Sequence, residues 1–577
     1  MNDEKKEIYA DIDDYFDKSK KEFWIGLQNF QGIREYTKIP LAPLTLLYGQ
    51  NSAGKSTIHD AQQFIYGYFS GEWKSKKIAE YLDRWANNRR ISEPLAKGYL
   101  GDFDDVVFSI SAATGFHDFL DWQSTSQQNQ DFEKGAAYIL FGSSCWHGND
   151  IPFRIDVHFS NNLDEWSVRK YTLYFCEKVF IEFIFDDKET ESESILVKIN
   201  KQHLVYSSID SSFKLDYGEG LEEVSIFYTN IENEIDGWFL YKDITIGNRL
   251  DLKRILDWTE EDGDFNVPPS KEVLEFRTFI LSLLHVPAIA VARSFNFNSV
   301  PPLRPIPSSD GAVFRRHSII DKKLSDWSLI AEQVCLKLIN DNYPIKCDDD
   351  NSPDEYQLDK INRILSHPLF LNTDFEITGE CQFLAPIGVL KDLNKTNEEM
   401  RSHLMKLDAE IHLKLQHKSL GWLTEIEDVG VGISQIIPVL VAISKPNRGH
   451  RSYKYSVFIQ QPELHLHPRL QAQLADAFIE CVNEKMESFS ASPCFIVESH
   501  SEHFLLRLLR RIRETSKSDI KNKLFSLSPE HVSVLYVDKL EDGSSKIFPL
   551  RISPDGEFID RWPNGFFTER DGELFDE

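Results

Sequence analysis

The chain has 577 residues, with 64 Lys plus Arg against 92 Asp plus Glu and a formal net charge of -28. That length exceeds one ordinary core, so two or more lobes, or one domain with large insertions, are expected. So acidic a chain repels a polyanion at long range unless its basic residues are segregated, and composition gives nucleic-acid binding no support. Hydrophobic residues make up 41% and charged residues 27%, ordinary globular values, and no apolar run is long enough to span a bilayer. The densely charged first twenty residues lack the apolar core of a secretory signal, so no membrane association and a cytoplasmic location are expected. Seven cysteines (Cys145, Cys176, Cys335, Cys347, Cys381, Cys481, Cys494) include no Cys-x-x-Cys pair, which argues against a disulfide framework and a structural zinc site.

In chain order, residues 1–22 read as an N-terminal extension. Phe23 to Phe30 and Leu44 to Tyr48 read as short strands. The second runs into Gly49-Gln-Asn-Ser-Ala-Gly54-Lys-Ser-Thr57, after which Ile58, Ala61, Phe64, Ile65 and Tyr68 recur at helical spacing. Residues 151 to 204 alternate apolar and polar side chains as an antiparallel sheet does. Ser270 is placed to cap a helix through Leu284, and with the loops at Pro301–Ser309 and Asp348–Pro353 it predicts a mainly helical insertion over 266–419. Mixed α/β character returns from 420 to 525, and Asp542-Gly543 between Val532–Asp538 and Lys546–Ile552 predicts a β-hairpin in a small C-terminal unit, 526–577. The fold class read from this order is α/β: a head in two parts, 23–265 and 420–525, with a mixed sheet, an antiparallel β lobe and the large insertion.

Four elements carry chemistry. Gly49-x-x-x-x-Gly54-Lys55-Ser56, flanked by strand and helix, fits a phosphate-binding loop: backbone N–H groups from Gly49, Asn51, Ser52, Ala53, Gly54 and Thr57 curl round the anion, Lys55 neutralises it, and Ser56 ligates Mg²⁺. The apolar strand Tyr455–Ile459 should end in carboxylates that hold the metal shell and orient water. It ends instead in Gln460-Gln461-Pro462-Glu463. Glutamine neither neutralises a metal nor takes a proton, so either hydrolysis is weak or another group substitutes, with Glu463 nearest. Glu463 reads equally well as an acidic residue complementing the next helix dipole. Gly430-Val-Gly432-Ile-Ser434-Gln435 opens a third element, a helix whose N-terminus offers donors to a phosphate. The fourth is the strand Cys494–Glu498 followed by His500, a candidate γ-phosphate donor. His465-x-His467 lacks companion ligands and reads as structural, and Arg507, Arg510, Arg511 and Arg513 read as a solvated helix face.

Together these elements resemble the ABC-class ATPases of SMC-like, RecF-like and OLD-type proteins. Within that class they are similar to predicted bacterial ATPases with Pro-Glu-Leu-His-Leu-His-Pro after the second strand, here Pro462–Pro468, and a Trp-Pro-x-Gly-Phe-Phe tail, here Trp562–Phe567. The resemblance covers roughly residues 22–70 and 420–575. It implies ATP and Mg²⁺ as ligands, with metal contacts at Ser56 and at the position of Gln460. It implies two heads sandwiching the nucleotide as a homodimer or larger homo-oligomer, with Gly432, Ser434 and Gln435 facing the partner's nucleotide. Catalytic roles would fall to Gln461, Glu463 and His500. It further implies a regulatory subunit that controls a separate effector, a nuclease, in Septu-type anti-phage systems. Alternatives are an OLD-like nuclease, disfavoured by the roughly 77 residues after His500, and an SMC- or RecF-like repair ATPase, whose long arms the insertion's lack of heptads disfavours.

Overall fold

A computed structural model of the chain describes residues 23–71, 73–86, 105–114, 151–162, 165–175, 177–185, 195–200, 238–241, 291, 296–304, 313–315, 326–343, 357–384, 396–444, 455–488, 495–517 and 523–563. Strands β1 (Phe23–Gln28) and β2 (Thr37–Leu41) precede β3 (Leu44–Gly49), which feeds the Gly-rich loop and helix α1 (Ser56–Phe69). After α2 (Ser75–Ala86) come β4 (Asp105–Thr114), β5 (Ile151–Asn162), β6 (Glu165–Phe175), β7 (Lys178–Phe185), β8 (Ile195–Asn200) and β9 (Trp238–Tyr241). With β1 and β2 they make an eight-stranded antiparallel sheet in the order β2-β1-β4-β5-β6-β7-β8-β9. The expected antiparallel lobe is therefore present, and it recruits β1 and β2.

The second sheet is assembled from distant parts of the chain: β10 (Asn296–Val300), β15 (Tyr455–Gln460), β16 (Phe495–Glu498), β3, β17 (Val532–Lys539) and β18 (Ser545–Leu550), in that spatial order. All neighbours are parallel except the β17–β18 hairpin. Because β17 lies beside β3 in parallel register, the hairpin completes the same sheet that holds the loop. Its position is tight. A Cβ at Gly49, whose φ is +143°, would lie 2.1 Å from the carbonyl oxygen of Val537, so this position requires glycine.

Among the described residues of 266–419, strands accompany the expected helices. Between β10 and the next head segment lie β11 (Val313–Arg315), α3 (Asp326–Asn342), α4 (Gln357–Ser366), β12 (Phe375–Leu384), α5 (Asn397–Leu404) and β13 (Asp408–His417). The strands form a third sheet, β11-β13-β12, with β14 (Leu423–Thr424) paired to β13. Strand β13 forms because Ala409, Ile411, Leu413 and Leu415 alternate with polar residues, and all four are buried. The expected helix at 270–284 lies outside the described residues.

Helix α1 sits between two sheets. Phe64 stacks on Phe108 of β4 at 4.5 Å and meets Phe159 of β5 edge-on at 5.5 Å. Toward β15, His59 packs edge-on to Phe458 at 4.7 Å and Gln62 donates to Ser456 at 2.8 Å. On the other face of the second sheet Leu44, Leu46 and Tyr48 join one core with α3, α4, α6 (Val431–Ser444), α7 (Pro468–Ser488) and α8 (Glu502–Ser516). Each fully buried side chain of this kind contributes about 1.5–3 kcal/mol. The tail motif joins that core: Trp562 packs edge-on to Tyr48, Tyr536 and Phe558 with ring centroids 5.8, 6.0 and 5.1 Å away. Among the described residues no helix is long and apolar enough to cross a membrane.

Candidate nucleotide-binding site

The loop after β3 is folded by backbone that only a few residues tolerate. Ser52 and Gly54 take φ of +61° and +102°, and a Cβ at Gly54 would meet the Ser545 hydroxyl at 2.5 Å. Ser545, at the start of β18, braces the loop from below by donating to the carbonyl of Ala53 at 2.7 Å. Gln50, Asn51, Ser52 and Ser56 are exposed at the mouth, whereas Ala53 and Thr57 are buried. Thr57 donates its hydroxyl to Gln31 at 2.6 Å, and Gln31 in turn donates to Asp60 at 2.6 Å. Thr57 therefore ties the loop to the β1–β2 turn, and its N–H donates to the Gly54 carbonyl at 3.0 Å.

Lys55 is 4% exposed, with its ammonium on the carbonyls of Gly49 and Gln50 at 3.0 and 2.9 Å. Burial pushes it below the ordinary lysine range and the nearby Glu498 carboxylate opposes that shift. A buried ammonium held by loop carbonyls gains from an anion that restores its charge balance. The cradle thus fits a polyphosphate, and the exposed Ser56 at the N-terminus of α1 fits a metal ion carried on it.

The distant motifs meet at the C-terminal ends of three adjacent strands. Strand β16 lies between β15 and β3, with Gln460 opposite Glu498 and Glu498 opposite Leu47. Glu498 Oε2 accepts from the Gln460 side-chain amide at 3.2 Å, and Oε1 lies 3.8 Å from the Lys55 ammonium. His500 follows in the next turn, where burial lowers its pKa and the charge of Lys55 pushes the same way, leaving a neutral imidazole near pH 7.

Glu463 is neither at a helix start nor free. It sits in the turn after Gln461, five residues before α7, and its Oε1 accepts from the His500 backbone N–H at 2.7 Å. Its carboxyl is pushed up by burial, opposed by that hydrogen bond. This contact locks the turn after β15 to the turn after β16. Gln461, at φ +44°, donates its backbone N–H to the carbonyl of Glu498 at 2.7 Å.

Helix α6 begins at Val431, directly after Gly430. A Cβ at Gly432 would reach the His465 carbonyl at 2.9 Å, so the glycine lets the helix start approach the turn after β15. Ser434 is buried with its hydroxyl turned back on the Val431 carbonyl at 3.1 Å. Gln435 is committed too: its amide and the backbone of Arg304 bond reciprocally, at 3.1 and 2.8 Å. Of the expected phosphate-facing set, Gly432 is half-buried behind the exposed Gly430 and Val431, and Ser434 and Gln435 hold the helix in place.

Arg304, unremarkable in a proline-rich loop, proves central. It is 4% exposed and its guanidinium donates to the carbonyls of Gln435 at 3.2 Å, Gln460 at 2.8 Å and Gln461 at 3.0 Å. One side chain thereby fastens the first turn of α6 to the end of β15. Burial lowers its pKa to about 10, with Glu463 opposing, so it stays charged at neutral pH.

The remaining sequence candidates are structural. His465 and His467 are exposed, His467 accepts from the Arg469 N–H at 3.3 Å, and no group of three or more His, Cys, Asp or Glu able to hold a metal occurs among the described residues. The basic stretch on α8 is spent on internal pairs: Arg507 and Arg511 both bind the buried Asp476, at 2.6 and 2.8 Å, Arg510 binds Glu514, and Arg513 binds Glu557.

Residues 340–505 match the AAA ATPase domain family. That span holds α6, β15 and β16, while the Gly-rich loop precedes it. Residues 527–576, which include the hairpin and Trp562, match a family described as a protein of unknown function (DUF3696). The expected α/β class is borne out, and the likeness to an ATPase domain extends over residues 340–505. No curated protein matches the chain. Similar solved structures include an SMC head bound to the C-winged helix domain of ScpA, at 10% identity over 92% of this chain and 98% of that one, with a TM-score of 0.35. The SMC head domain from Thermotoga maritima matches at 9% identity over 92% and 100%, TM-score 0.33. A Pyrococcus furiosus Smc head with an extended coiled coil, bound to the C-terminal domain of ScpA, matches at 12% over 92% and 96%, TM-score 0.33.

Proposed function

We propose that the chain is an ATP-binding switch in which nucleotide closes two copies of the head on each other and the closed state controls a separate effector. The observation that carries this reading is the convergence of Lys55, Glu498, Gln460 and His500, from three separate stretches of sequence, at one end of one sheet. ATP would lie on the loop Gly49–Thr57, with Lys55 on its phosphates and Ser56 toward the metal. Bound Mg²⁺ would neutralise phosphate charge. Contacts from the N-terminus of α6 of a second copy become available only in the closed pair, each charge-assisted bond contributing roughly 1.5–3 kcal/mol. Leu420, Trp422, Leu423 and Val431, exposed on the segment that leads into α6, suit burial against such a copy.

Hydrolysis is slow on this reading. Gln461 orients a water without taking its proton, and Glu463 already holds the His500 N–H. Slow turnover makes ATP a durable ligand, as a switch requires. The effector is a separate protein, and a nuclease acting in anti-phage defence is the assignment the resemblance suggests. In support, Asp542 at the hairpin tip is engaged by Arg34 and Ser544, and β17–β18 complete the sheet that holds the loop.

Light scattering on the purified chain tests the closure. The mass should about double when ATP and Mg²⁺ are added, and the Lys55→Ala variant should stay at the nucleotide-free mass. An unchanged wild-type mass at saturating ATP would contradict a nucleotide-closed dimer.

A further inference from the structure

A metal-bearing nucleotide needs a carboxylate near its phosphates, and β15 ends in an amide where one is expected. The adjacent strand ends in Glu498. Its side chain is largely buried, and it lies one strand nearer to β3 than Gln460 does. Burying a carboxylate is costly unless it is paired or bonded. The simplest use of this one is as counter-ion to Lys55, but the geometry does not commit it there. Lys55 already has two carbonyl acceptors within 3.0 Å, whereas its separation from Glu498 Oε1 is 3.8 Å, an ion-pair contact longer than a hydrogen bond. The tighter tether is the Gln460 amide on Oε2. An amide that donates into a carboxylate fixes its rotamer and leaves Oε1 turned to the loop. A glutamate at position 460 would instead set two carboxylates side by side and repel.

We infer that Glu498 supplies the metal-facing carboxylate that Gln460 lacks, with Gln460 as its positioning residue. The ligand class is a divalent cation carried on a nucleoside triphosphate, and the inference rests on the nucleotide-binding reading above. The acidic function is moved by one strand, and the glutamine is its holder.

The test is equilibrium binding of a fluorescent ATP analogue to the full chain, with Mg²⁺ and in excess EDTA, for wild type, Glu498→Gln, and the exchange variant Gln460→Glu/Glu498→Gln. Wild type should bind at least about tenfold more tightly with Mg²⁺. Glu498→Gln should lose most of that gain yet bind at least as well as wild type in EDTA, because a negative charge beside the phosphates is gone. A damaged fold would weaken binding under both conditions. The exchange variant, with its carboxylate back at the end of β15, should recover the gain. Full Mg²⁺ enhancement in Glu498→Gln overturns the inference while leaving nucleotide binding intact. Absence of wild-type binding with or without metal defeats the underlying nucleotide reading instead.

Discussion

Replacing Lys55 by alanine lowers ATP affinity by roughly 10- to 150-fold, the equivalent of one lost charge-assisted contact of about 1.5–3 kcal/mol. The size follows from where the ammonium sits. It is buried, its charge disfavoured by desolvation, and its neighbours are loop carbonyls and one carboxylate. Phosphates entering the loop give it the partner that burial withholds. The nucleotide-free fold should tolerate the change. A lysine whose folded pKa is depressed gives least stability below that pKa, where the native state must hold the charge, and more as pH rises through it. Alanine removes that cost at neutral pH, and Glu498 keeps its bond from Gln460. Denaturation midpoints with and without ATP check both parts: without nucleotide the variant should be at least as stable as wild type, and it should lose the ATP-dependent rise. A variant that keeps that rise would contradict the role given to Lys55.

Arg304→Ala is expected to cost about 3–5 kcal/mol of stability, the range for removing one member of a buried charged network. Three carbonyls, those of Gln435, Gln460 and Gln461, lose a charged donor at once. The same change loosens the start of α6 from the end of β15. Where the variant remains folded, ATP should still bind the loop while the mass increase on adding ATP is lost. Arg304→Lys should recover part of the stability, since a single ammonium keeps the charge but cannot span three acceptors as the guanidinium does. Urea midpoints and light scattering on both variants decide this. Wild-type closure by Arg304→Ala would remove Arg304 from the coupling between α6 and β15.

What the sequence makes legible is local. The strand, loop and helix around Lys55 follow from an apolar run, two glycines and a helical repeat, and the hairpin follows from Asp542-Gly543. Strand β13 had its own signal, the alternation of Ala409, Ile411, Leu413 and Leu415 with polar residues, which the nearby proline-rich loops obscure. Glu498 and Arg304 carry no local signal. Glu498 gains meaning only when β16 is found between β15 and β3, a matter of sheet order that no spacing along the chain encodes. Arg304 stands 131 residues before Gln435 and 156 before Gln460, joined to them by tertiary structure alone. Ser434 and Gln435 look like ligand contacts because polar residues at a helix start often are. Burial shows their side chains spent on Val431 and Arg304.

The most direct measurement is equilibrium binding of labelled ATP to the purified chain, with phosphate release followed in the same samples. Saturable binding that depends on Lys55, with release slow enough for bound ATP to persist, is the result a nucleotide switch predicts. No binding at millimolar ATP, or fast Lys55-dependent turnover of the kind a motor shows, would contradict it.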